Sequence, residues 1–77
     1  MEFPVFLKYP NEKHFFKIIS KQEFEEVTVV GNHYDLFHLK AEMYLDIIRI
    51  ADMLKNEEGL FLLSNEQEFE MIKKKSV

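Results

Sequence analysis

Phe3, Val5, Leu7 and Tyr9 recur at every second position, and Phe16 and Ile18 repeat that spacing a few residues later. Period-2 alternation puts one set of side chains on one face of a strand. Pro10-Asn11-Glu12-Lys13 separates the two runs. Proline presets the backbone at the first central position of a turn, and asparagine suits the second. A loop over those residues pairs Tyr9 with His14, Leu7 with Phe16 and Val5 with Ile18. Phe3, Val5, Leu7, Phe16 and Ile18 then share one face, which a buried sheet face requires. Pro4 lacks the amide a ladder needs, so the first strand starts there or lies at an edge.

Further along, Ser20-Lys21-Gln22-Glu23 has the spacing of a capping box and predicts a helix of about two turns, with Phe24 and Val27 on its inner face. The β-branched run Val27-Thr28-Val29-Val30 returns the chain to strand. Gly31-Asn32 fits a type II′ hairpin turn. The return strand begins at His33. Apolar residues then alternate at Phe37, Leu39, Ala41, Met43 and Leu45, which carries the strand to about residue 44. Asp46 comes next as N-cap of a helix ending near Asn56. A helix across residues 40–56 competes, because Tyr44, Ile47, Ile48, Ala51 and Leu54 also fit a helical period.

Gly59 suits the left-handed end of that helix. Leu60-Phe61-Leu62-Leu63 is wholly apolar and reads as a central strand. Ser64 with Gln67 caps a last helix carrying Phe69 and Ile72. Lys73-Lys74-Lys75 sits at its C-terminal end, where the helix dipole favours positive charge. The segment around Ser20, Glu23 and Phe24 is echoed around Ser64, Glu68 and Phe69, each reading as strand, serine cap and short acidic helix.

The expected class is α+β, in the order ββαββαβα. It comprises a mainly antiparallel sheet of about five strands and two to three short helices, in one small domain over residues 1–77. The 77-residue length suits one domain. With 47% hydrophobic and 31% charged residues, the composition is that of a folded chain.

Composition removes several chemistries. With no cysteine, the chain has no disulfide, no thiolate metal ligand and no thiol nucleophile. Its two glycines cannot make a phosphate-binding fingerprint. Apolar runs stay far below the ~18 residues of a membrane span. Met1-Glu2-Phe3-Pro4 lacks the basic start of a signal peptide, so a soluble, cytoplasmic protein with no membrane partner is expected. A net charge of −4 with one arginine argues against nucleic acid as a partner.

Candidate sites are few. His33 and Asp35 share one strand face and could start a metal site, but no further ligand is nominated beyond Glu42 or His14 at unknown distance, so neither metal nor cofactor is expected. Glu23, Glu25 and Glu26, like Glu66, Glu68 and Glu70, read as solvated helix-start acids rather than catalytic pairs. Apolar residues on the second sheet face are more informative. Phe6, Phe15 and Ile19 point away from the assigned core, and Val29 and Tyr34 join them from the second hairpin. A chain of this length covers one face well and the other partly, and an uncovered apolar face marks a contact site. The leading expectation is therefore a non-enzymatic protein-interaction or assembly module. It would self-associate as a homodimer through Phe6, Phe15, Ile19, Val29 and Tyr34. One alternative is an accessory subunit that docks a different protein. Another is a small metal-binding protein or enzyme using His33 and Asp35.

Overall fold

The computed structural model describes residues 3–56 and 59–76. Strands β1 (Val5–Lys8), β2 (His14–Ser20), β3 (Glu23–Val30) and β4 (His33–Lys40) form an antiparallel meander. Helix α1 (Tyr44–Lys55), the short strand β5 (Leu62–Leu63) and helix α2 (Glu66–Lys74) complete the chain. The five-stranded sheet has the order β4-β3-β2-β1-β5. The α+β class holds, but the element order is ββββαβα.

The first hairpin forms in the expected register, with Val5 opposite Ile18 and Leu7 opposite Phe16. The Glu12 amide donates to the Tyr9 carbonyl at 2.9 Å, which puts Pro10 and Asn11 at the centre of the turn. Gly31 has φ +60°, the left-handed value that a II′ turn needs at its first central position.

The helix expected over residues 20–27 does not form. Lys21 and Gln22 make a tight turn, the Gln22 amide donating to Ser20 Oγ at 3.1 Å, and Glu23 already pairs with Ser20. As a strand, this segment buries Phe24 on one face and Val27 on the other. A single helical stripe would leave its β-branched tail without partners. Its acidic run is matched across the sheet: Glu25 stands opposite Lys17, and Glu23 opposite Lys40. Glu26 Oε2 lies 2.8 Å from His14 Nδ1. Cross-strand opposite charges favour the pairing.

β4 stops at Lys40 rather than near residue 44, because its ladder ends there. Lys40 faces Glu23, the first residue of β3, and the Ala41 amide donates to the Gln22 carbonyl in the turn. α1 begins at Tyr44, capped by Met43 without a side-chain hydrogen bond, and Asp46 lies in its first turn instead of capping it. Asn56, not Gly59, takes the left-handed terminal position, at φ 48°. Its side chain exchanges two hydrogen bonds with the backbone of Phe61. Asn65 caps α2 by accepting from the Glu68 amide, while Ser64 donates its hydroxyl to the Glu68 carboxylate. β5, expected to be central, is an edge strand of two residues, with Leu63 81% exposed.

The two helices lie on opposite sheet faces. Ile50 and Met53 of α1 pack on Leu7, Phe16, Ile18 and Phe24. Phe69 of α2 packs on Phe15 and Val27. Alternation along β2 separates Phe15 from Phe16, so both sets are buried at once.

Candidate interaction surface

The face proposed from sequence is partly covered by α2. Phe15 is 3% exposed beneath α2, and Phe6, Val29 and Tyr34 pack around the same cluster with Ile72. The rings of Phe6 and Phe69 are 5.9 Å apart. Lys75 Nζ stands 5.5 Å from the centre of the Tyr34 ring. Ile19 is half-buried and outside both clusters. The nine residues of α2 cover the middle of this face through one fully buried aromatic, Phe69, which clusters with Phe15 of β2 and Val27 of β3 and meets the ring of Phe6 of β1.

Two ion pairs hold α2 in place. Lys8 of β1 lies 3.1 Å from Glu68 near its start, and Lys73 near its end lies 3.2 Å from Glu25 of β3. The Ser64 hydroxyl holds the Glu68 carboxyl below its ordinary range, the Lys8 ammonium adds to this, and burial opposes both. Hydrogen bonds to Glu12 and Glu68 push Lys8 upward. Two of the three terminal lysines are thus engaged within the fold, Lys73 with Glu25 and Lys75 over Tyr34.

The apolar surface that remains lies elsewhere. Val30, Leu36 and Phe37 are exposed on the second hairpin, Met43, Tyr44, Leu45 and Ile48 at and after the start of α1, Leu60, Leu62 and Leu63 before and in β5, and Met71 on α2. β4 is the sheet's long edge, and Phe37, in its centre, is half exposed at 50%. The Ala41–Gln22 hydrogen bond and the two-residue turn at Gly31 fix which backbone groups face inward. In an antiparallel ladder these groups alternate. The odd residues His33, Asp35, Phe37 and Leu39 face β3. The amides and carbonyls of Tyr34, Leu36, His38 and Lys40 face outward. Adjacent apolar residues at 36 and 37 are the signal for this edge that sequence reading passed over: in a meander's last strand, one of the pair must point away from each helix.

A groove of about 610 Å³ opens between α1 and the segment before β5. Tyr9, Phe16 and Phe61 floor it, with ring centres 5.2 to 5.6 Å apart. Ile48, Arg49 and Met53 line its α1 side. The volume is in the range of ligand sites.

His33 and Asp35 do meet, Nε2 to Oδ1 at 2.8 Å, but their side chains are 74% and 63% exposed. His14 pairs with Glu26 and His38 with Glu23, so each histidine has one carboxylate of its own. Among the described residues no three such side chains converge on a point that could hold a metal. Nor is any polar or charged side chain buried among them. No helix among the described residues is long and apolar enough to cross a membrane. Comparison with known proteins finds no matching family model, no similar curated protein and no similar solved structure.

Proposed function

We propose that this chain is a non-enzymatic assembly module that associates with a second copy of itself along β4. The observation that carries this reading is the outer side of β4, unpaired among the described residues, an eight-residue edge with Leu36 and Phe37 exposed at its centre. Long edges with apolar residues pair with other chains unless blocked. The opposite edge is limited to the two residues of β5. Light scattering across a size-exclusion peak tests the reading. A mass of twice 9.3 kDa is expected at high concentration, falling to 9.3 kDa in Phe37→Glu. A single 9.3 kDa species at every concentration refutes it.

The groove favours a second reading, in which the chain is an accessory subunit that docks a different protein. Its aromatic floor and mixed apolar and charged α1 wall would take a large side chain of that partner. In this reading Phe37→Glu still captures a stoichiometric partner, and Ile48→Asp, on the groove wall, loses it. The metal alternative has only the exposed His33–Asp35 pair behind it. Stoichiometric zinc after purification without chelator would revive it, and equal zinc in His33→Ala would remove it.

A further inference from the structure

Resting on the self-association reading, we infer that two copies join their β4 strands antiparallel about a two-fold axis through Phe37, making one ten-stranded sheet. Outward backbone groups belong to even residues, so a second β4 must pair even residues with even ones. Every symmetric register is therefore centred on a single residue, and pairing Leu36 with Phe37 is excluded. Registers centred on Leu36 or His38 place identical residues in the wide, hydrogen-bonded site. A register centred on an odd residue places them in the narrow site, where side chains approach most closely. Among odd centres, Phe37 keeps the ladder whole from Tyr34 to Lys40, whereas Asp35 or Leu39 shortens it.

The side chains agree with that register. Phe37 meets Phe37 of the second copy, and aromatic cross-strand pairs are among the more stabilising. Leu36 faces His38, Tyr34 faces Lys40, and Asp35 faces Leu39. No like charges stand directly opposite. His38 already lies 2.6 Å from the Glu23 carboxylate of its own chain. Because pairing Cα partners share a face, α1 of both copies falls on one side of the joint sheet and α2 on the other. Phe37 also borders the α1 core: its ring is 6.4 Å from Phe24, over which Arg49 lies.

A single introduced thiol tests the register, because the chain contains no cysteine. Residues in a narrow antiparallel pair sit about 4.5 Å apart at Cα, within disulfide reach. Phe37→Cys, Leu36→Cys and Val30→Cys are each oxidised mildly at a concentration where the unmodified chain has doubled mass. Val30 is exposed but outside the paired segment and reports random collision. Phe37→Cys is expected to form covalent dimer at least about tenfold faster than Val30→Cys, from the raised effective concentration. Faster cross-linking at Leu36→Cys overturns the register. Collisional rates at both positions, with the unmodified chain still dimeric, overturn edge pairing but leave self-association by another surface. A monomeric unmodified chain overturns the underlying reading.

Discussion

The Lys8 ammonium lies 3.1 Å from the Glu68 carboxylate, joining the strand next to the sheet's short edge to the first turn of α2 across sixty positions of sequence. Ser64 donates to the same carboxylate. Together with Lys73 and Glu25 this pair pins the helix that covers the second sheet face. Whether that face is open decides which residues can meet a partner.

Glu68 titrates below the ordinary glutamate value of 4.5 in the folded chain. A depressed carboxyl stabilises the fold above the unfolded value, and that contribution fades as pH falls through the folded value. The melting temperature of the unmodified chain is expected to exceed that of Glu68→Gln by a few degrees at pH 7, with the gap closing below pH 4.5. A gap that is constant from neutral to acid pH contradicts this role.

Phe69 is the one fully buried side chain of α2. Phe69→Ala removes the contact between that helix and Phe15 and Val27. A loss of about 3–5 kcal/mol is expected in urea denaturation, the usual cost for a buried phenylalanine. Because α2 then detaches from its face, the variant should also bind a dye for exposed apolar surface. A loss below about 1 kcal/mol, within the range of surface changes, would mean α2 is not a structural cover.

How much of this was legible in the sequence depends on which contacts decide each element. The first hairpin was legible down to its register, because turn chemistry and alternation agree there. Helix α2 was legible too, though its cap sits at Asn65, one residue after the serine. The segment around Ser20 and Phe24 shows the limit. It resembles that around Ser64 and Phe69, yet one becomes a strand and the other a helix. Two differences separate them. One is the adjoining C-terminal residues, Val27-Thr28-Val29-Val30 against Met71-Ile72-Lys73-Lys74. The other is the presence of a strand on each side of β3. That second difference is tertiary and invisible locally. The second sheet face was expected to be only partly covered on grounds of chain length; Phe69 of α2 packs on it, and the strand formed by Glu23–Val30 leaves β4 at the sheet's edge.

Gly31 turns the β3–β4 hairpin at φ +60°, and a Cβ there meets nothing within 4 Å. The only cost of Gly31→Ala is therefore the left-handed backbone, about 1–2 kcal/mol. Gly31→Asn is expected to lose about as much in thermal melts, because asparagine tolerates the αL region of a I′ turn and not the first central position of a II′ turn. A markedly smaller loss in Gly31→Asn would mean the turn geometry differs from that described.

The most direct test of the central claim is residue-resolved amide hydrogen exchange at two protein concentrations. The odd amides of β4 are bonded to β3 and serve as internal reference. Pairing through β4 requires slow exchange at Leu36, His38 and Lys40 in concentrated solution, and fast exchange at the same amides when diluted. Fast exchange of these even-numbered amides at every concentration, with the odd ones protected, would contradict it.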